Sequence, residues 1–338
     1  MKNNAGRRAG NMILASLALS PLCAGAQQAP DAGRTLQDTR PPALQAPSPA
    51  TGVTVQPPGD TTAAPGGEQV VLSGVRFTGN TVFSESELLA VLGEFENRSF
   101  DLAGLQTLAR RVSEHYRSRG YPFARALIPA QRFTDGMLSL QIVEGRYGAI
   151  RAEGDMAAAA QDYLAGLEPG TVIDSASLER TTLILDDLPG IRTAPLIRPG
   201  QELGTGDLIV NVSREQMFSG EIGADNHGNR YTGTGRLRTS VQADSPFLLG
   251  DQVVLRTLYT EEDMWLGSLG YSVPVGSSGL RASLGYAHTY YELGKDFSSL
   301  EAHGVARVAS AGLSYPLLRS QIANVVIGVA WQRKKLED

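Results

Sequence analysis

The residues of this sequence that could do chemistry are four histidines, one cysteine, a pair of adjacent aspartates and a short glycine-containing run. His115, His227, His288 and His303 stand in no HExxH pattern and have no third ligand at metal-binding spacing, so surface, lumen or packing positions are expected for them. Asp186 and Asp187 have the composition of a proton-sharing dyad, but adjacent residues on a helix point about 100° apart and do not converge on one proton. A helix-end role before Pro189-Gly190 is expected instead. Gly233-Thr234-Gly235 lies within a strand pattern without the later residues of a phosphate loop, and no Gly-x-Ser-x-Gly elbow precedes a helix. Cys23, alone, makes neither an internal disulfide nor a thiolate metal site. No catalytic centre, metal, cofactor or small-molecule substrate is therefore expected.

The elements that would position these residues belong to more than one folded unit, because 338 residues exceed the roughly 100–200 of one ordinary domain. With 38 glycines and 18 prolines the composition argues against a helical bundle and for β structure joined by linkers. A formal net charge of -5 and the placement of lysine only at Lys2, Lys295, Lys334 and Lys335 leave no basic arm, so nucleic acid is not an expected partner.

Lys2, Arg7 and Arg8 precede the apolar run Met12 to Leu22, which is shorter than the about 20 residues a bilayer core requires. With Ala24-Gly25-Ala26 as the small-residue pattern before a cut at Gln27, residues 1–26 are expected to be a signal peptide. A lipoprotein signal at Cys23 is the competitor, weakened by Leu22 where a small residue should stand. Residues 27–67 form a Pro-rich linker, with one segment, Asp31 to Thr39, able to form a short helix only with a cavity or partner to hold it.

Two repeats of one small unit follow, at residues 68–145 and 146–215. In the first, Val70 to Phe77 reads as a strand and Ser84-Glu85-Ser86-Glu87 as a capping box opening a helix. Leu102, Leu105, Leu108, Val112 and Tyr116 make a helical stripe behind the N-cap Asp101. Phe123 to Ile128 and Met137 to Val143 read as strands, with Asp135-Gly136 as a hairpin signal. The second repeat has a strand at Tyr147 to Arg151, helices at Met156 to Leu167 and Ser175 to Leu188, and strands at Ile191 to Arg198 and Asp207 to Val212. Each β-α-α-β-β unit would bury a three-stranded sheet under two helices and leave sheet edges open to an extended peptide.

From residue 216 to 338 the period becomes two. Seven alternating segments, near 216–226, 231–243, 250–260, 264–275, 279–291, 302–315 and 321–333, carry one apolar and one small or polar face. Trp265, Tyr271, Tyr286, Tyr290 and Trp331 are expected interface-girdle residues, and Glu221, Asp225, Arg236 and Arg238 are expected to face a lumen. The sixth segment changes phase near Arg307, which leaves its lipid face unassigned. Alternation by itself fits a soluble β-sandwich as well as a transmembrane barrel.

Resemblance separates these alternatives. Phe77-Thr78-Gly79-Asn80-Thr81, the run from Tyr116 through Pro122 to Gln131, and Asp135-Gly136 through Val143-Glu144-Gly145 resemble the first POTRA domain of the outer-membrane transporters of two-partner secretion. Leu183-Ile184-Leu185-Asp186-Asp187-Leu188-Pro189-Gly190 resembles a segment of their second POTRA domain, and Asp225 to Gly233 their first barrel hairpin. Ser314-Tyr315-Pro316-Leu317-Leu318-Arg319-Ser320 is likewise similar to a family segment. The fold class implied is α+β periplasmic POTRA modules followed by a partial antiparallel transmembrane β-barrel in the outer membrane of a Gram-negative bacterium, in contact with outer-membrane lipid. The function implied is export of an unfolded exoprotein of adhesin or haemolysin type, with no enzyme activity. The partner is expected to dock by strand addition at an edge comprising Ile191, Arg192, Leu196, Ile197 and Arg198. A plug role for Asp31 to Thr39 is also implied by the resemblance. The family's barrel has sixteen strands and this chain offers about seven, so the chain reads as shortened within its barrel. A barrel-assembly factor, whose relatives carry more such modules, and a soluble periplasmic binding module are the alternatives.

Overall fold

The computed structural model of the chain describes residues 64–292, 294 and 303–337. The expected signal peptide, most of the linker and the expected helix at 31–39 lie outside the described residues.

The first repeat comprises β1 (Val70–Val71), β2 (Gly74–Thr78), α1 (Glu85–Leu92), β3 (Ser99–Phe100), α2 (Leu102–Ser118), β4 (Arg125–Leu127) and β5 (Met137–Val143). Its sheet runs β2-β5-β4, with β2 parallel and β4 antiparallel to β5. Leu88 and Leu92 of α1 and Leu105, Leu108, Val112 and Tyr116 of α2 bury themselves on Val75, Phe77, Leu138, Leu140 and Ile142. Leu102, the first residue of the expected stripe and of α2, is exposed. The expected strand 70–77 is broken into β1 and β2. Leu72 turns into the core there, and the amide of Ser73 donates to the Gly136 carbonyl at 2.9 Å. Asp135 and Gly136 both have positive φ, 57° and 68°, as their turn signal requires. A Cβ at Gly136 would lie 2.6 Å from the Val71 carbonyl oxygen, so this turn admits only glycine.

Half of the expected capping box forms. The Glu87 amide donates to Ser84 Oγ at 3.3 Å, while the Glu87 carboxylate lies 3.6 Å from His115 Nε2 instead of reaching back to Ser84. Ser84→Ala is accordingly expected to cost about 1 kcal/mol. Chemical denaturation of the chain checks this, a loss below a few tenths of a kcal/mol counting against the cap.

The second repeat has the same topology: β6 (Arg146–Gly154), α3 (Ala157–Leu164), α4 (Ser175–Asp186), β7 (Ile191–Pro199) and β8 (Thr205–Arg214), in sheet order β6-β8-β7 with β6 parallel to β8. α3 is shorter than expected because Met156 stands before it in the left-handed region, with φ 57°, and Gly166 follows it closely. Tyr147, Leu164, Leu185, Leu208 and Val210 form the centre of this core.

Seven strands then form one sheet in sequential antiparallel order: β9 (Phe218–Asp225), β10 (Arg236–Asp244), β11 (Gln252–Thr260), β12 (Trp265–Pro274), β13 (Arg281–Glu292), β14 (His303–Arg319) and β15 (Asn324–Glu337). Residues 231–235, expected to open the second strand, form a turn. β14 runs on to Arg319 through a bulge between Pro316 and Leu318. The register puts Ile222, Thr239, Thr257, Gly267, His288, Arg307 and Lys335 in one row of one face, which settles the phase of the sixth segment. That face carries Phe218, Ile222, Leu255, Leu269, Leu284 and Val329, all exposed, with Ile222 at 77% and Val329 at 76%. A sandwich would cover these side chains with a second layer. Among the described residues none does, and the sheet is open, with β9 and β15 as its edges.

Candidate functional site

Three parts of the molecule bear on function: the free edge of the second module, the polar face of the large sheet, and the joints that hold modules and sheet together.

β7 is the expected edge strand, paired on one side to β8 only. The Glu215 amide donates to the Gly190 carbonyl at 2.9 Å and the Gly200 amide to the Thr205 carbonyl at 2.9 Å. The even-numbered residues of β7 therefore turn their backbone groups to β8, and the odd-numbered ones, 191 to 199, turn theirs outward. Along that outward row Pro195 and Pro199 have no amide hydrogen, and the amide of Thr193 is taken by Asp186 Oδ1 at 3.3 Å. The edge thus presents a run of acceptors with amide donors only at its start, Ile191, and at Ile197 between two prolines, which blunts it against indiscriminate pairing. Of the five expected docking residues, Arg192, Leu196 and Arg198 expose their side chains. Ile191 and Ile197 turn theirs toward the core and offer only backbone.

Glu221, Asp225, Arg236 and Arg238 lie on the face opposite the apolar one, Glu221 midway along β9 and the other three at the end of β9 and β10 farther from the modules. Asp225 is held between two guanidinium groups, Arg236 Nε at 2.8 Å and Arg238 Nε at 3.0 Å. Glu221 stands across from Ser240 on the same face. The face continues in Ser268, Gly270, Ser272, Ser283, Gly285, Ser310 and Gly312, small polar or bare positions that leave room for water.

The joints were not foreseen from the sequence. At the end of the first module Glu144, 3% exposed, accepts from the Thr81 and Val82 amides at 2.6 and 2.8 Å, from the Thr81 hydroxyl and from Tyr116 Oη at 3.1 Å. Arg146 donates to it at 3.1 Å and reaches on to the Gly170 carbonyl of the second module at 2.9 Å. Burial alone would push the Glu144 carboxyl up, but these donors hold it below the ordinary value. Burial and the neighbouring Glu144 carboxylate together push the Tyr116 phenol well above its usual range.

At the second joint, α4 ends in a socket made by three turns of the sheet. Asp187 accepts from Arg319 Nε at 2.6 Å and Nη2 at 2.7 Å. Leu188 packs on Leu249 and Gly250, and Ser245 Oγ donates to the Pro189 carbonyl at 2.6 Å. Arg180 donates to the Pro316 carbonyl at 2.9 Å and to Tyr315 Oη at 3.1 Å. Asp187 is thus an ion-pair residue and not a member of a dyad with Asp186, which binds Thr193. A further signal for this socket, beside the family likeness of residues 183–190 and 314–320, is the likeness of Pro246-Phe247-Leu248-Leu249-Gly250 to Pro316-Leu317-Leu318-Arg319-Ser320, whose fourth positions receive Leu188 and Asp187. Among the described residues no cluster of three metal-ligating side chains occurs.

Residues 70–145 match the family model of the POTRA domain, ShlB-type, and residues 204–338 match that of the haemolysin secretion/activation protein ShlB/FhaC/HecB. Over 258 residues the chain is 26% identical to the heme/hemopexin transporter protein HuxB of Haemophilus influenzae, covering 75% of this chain and 46% of that protein. Over 203 residues it is 27% identical to the outer membrane transporter CdiB of Escherichia coli, covering 59% and 34%. The chain spans about half the length, or less, of the curated relatives it matches. The structure of CdiB from Escherichia coli superposes with a TM-score of 0.66 at 23% identity, over 84% of this chain and 54% of that one. CdiB from Acinetobacter baumannii gives 0.57 at 18% identity, over 90% and 60%. At these identities the two structures speak for the fold.

Proposed function

We propose that this chain, whose residues 204–338 match the ShlB/FhaC/HecB family of haemolysin secretion/activation proteins behind a ShlB-type POTRA domain, takes an unfolded exoprotein from the periplasm to the cell surface by two-partner secretion. It resides in the outer membrane of a Gram-negative bacterium with both small modules in the periplasm. The observation that carries this reading is a two-faced sheet joined through the Asp187–Arg319 ion pair to a module whose strand β7 is a free edge. The apolar face meets lipid, while Glu221, Asp225, Arg236 and Arg238 face an aqueous lumen. The exoprotein adds as an extended strand along β7, giving its amides to the outward carbonyls and accepting from Ile197, with Arg192, Leu196 and Arg198 contacting its side chains. No residue acts as a catalyst in this scheme. Direction comes from folding of the cargo outside the cell.

Ile197→Pro removes the donor between Pro195 and Pro199 at a position where an edge strand tolerates proline. With the protein and its natural exoprotein produced together in a Gram-negative host, surface display of the exoprotein is expected to fall severalfold while the amount of transporter in the outer membrane stays the same. Unchanged display would reject docking at this edge. Recovery of the transporter from the soluble periplasm would reject the membrane reading altogether.

A further inference from the structure

The apolar face of the sheet is interrupted at one place, near its end remote from the modules. His288, Arg307 and Lys335 are direct cross-strand neighbours on β13, β14 and β15, and Arg333 follows two residues from Lys335 on the same face. Side chains directly opposite on one face have Cβ atoms about 4.5–5.5 Å apart, so three permanent cations occupy one small patch. Among the described residues one carboxylate answers them: Glu337 pairs with Lys335 and, at 3.4 Å, with Arg307. Arg333 has no hydrogen bond or ion pair among the described residues, and Lys335 and Arg307 remain 66% and 39% exposed. The patch lies among aromatic residues of interface type: Trp265 stacks on His288 at 4.9 Å, and Tyr286, Tyr290 and Trp331 stand on the same face around it. Below it the face returns to Leu284, Leu313 and Val329.

Like charges placed side by side on a lipid-facing surface are unfavourable unless an anion from outside the chain balances them. The position selects that anion. It must approach from the lipid side, at headgroup depth, in the leaflet away from the periplasmic modules. We propose that this patch binds the phosphorylated headgroup of a lipid of the outer leaflet, its acyl chains lying along Leu284, Leu313 and Val329. Guanidinium and ammonium groups converge on the phosphate oxygens, and the tyrosine and tryptophan rings cover the sugar or glycerol between phosphate and acyl chains. The proposal rests on the reading of the sheet as membrane-spanning.

The test uses the full chain with vesicles of phosphatidylcholine containing either a bisphosphorylated lipid A or its dephosphorylated form. After flotation and detergent extraction, the lipid retained on the chain is measured by mass spectrometry. A preference of about tenfold for the phosphorylated form is expected. It should fall to near unity in the triple variant Arg307→Gln, Arg333→Gln, Lys335→Gln, and severalfold in Arg333→Gln, whose exposed side chain supports no other contact. Lys334→Gln, one residue away but on the polar face, should leave the preference intact. A chain that floats without preference, or a triple variant that keeps it, overturns the lipid site alone. Displacement of the lipid by millimolar inorganic phosphate would assign the patch to free anions and overturn it likewise. A chain that does not float with any vesicle overturns the transmembrane reading and this one with it.

Discussion

Asp187→Ala is expected to release the second module from the sheet. Arg319 is 3% exposed and loses both charge-assisted bonds in that variant, leaving a buried guanidinium whose remaining partners are the Ser320 carbonyl and Asn324. Removing one partner of a buried pair costs about 3–5 kcal/mol. Asp187 itself is 30% exposed, so water relieves part of the loss and the lower end of that range applies. The double variant Asp187→Ala, Arg319→Leu removes the stranded charge as well and should recover a large part of the loss. Limited proteolysis at the junction around Arg214 provides the measurement: cleavage should accelerate about a hundredfold in the single variant and much less in the double one. Equal cleavage in the wild type and Asp187→Ala would show that Leu188, Ser245 and Arg180 hold the module unaided.

The second large effect is expected at Glu144, through pH. Its folded-state pKa lies below the ordinary glutamate value of about 4.3, so it stabilises the first module fully above that value. That contribution is lost as pH falls through the depressed folded value. Glu144→Gln at neutral pH exchanges an acceptor of four donors and one cation for an amide that cannot satisfy them all, at a cost of about 3 kcal/mol. The difference between wild type and variant should shrink as the solution is acidified below the carboxylate range. Thermal unfolding followed from pH 7 to pH 3 reports this, and parallel curves for the two proteins would contradict it. Because Arg146 ties the same carboxylate to Gly170, the variant is also expected to loosen the angle between the two modules.

The parts of this structure legible in the sequence are those encoded by spacing within one element. Leu105, Leu108, Val112 and Tyr116 recur at helical intervals and do line the core, and Met137 to Val143 alternates as a strand and is one. The two repeats have the common topology inferred from their element order. The large sheet likewise shows seven strands among the described residues where seven alternating segments were expected. What escaped depends on pairing across long sequence separations. Arg319 meets Asp187 across 132 residues, and no periodicity within either segment marks the other. The acceptor-rich character of β7 follows from which parity faces β8, a matter of register that the residues of β7 alone do not determine. The position of Arg307 in the row of Lys335 emerges only once β14 is aligned with both of its neighbours.

An odd number of alternating strands gives the large sheet a handed pair of rims: β9 and β15 ascend in the same direction. A second molecule inserted the same way up would set ascending rim against ascending rim at both contacts, in the slanted bonding pattern that membrane cylinders rarely adopt. Turning that molecule over would restore opposed directions but carry its modules through to the far surface. Antiparallel pairing at either rim therefore requires a strand that descends.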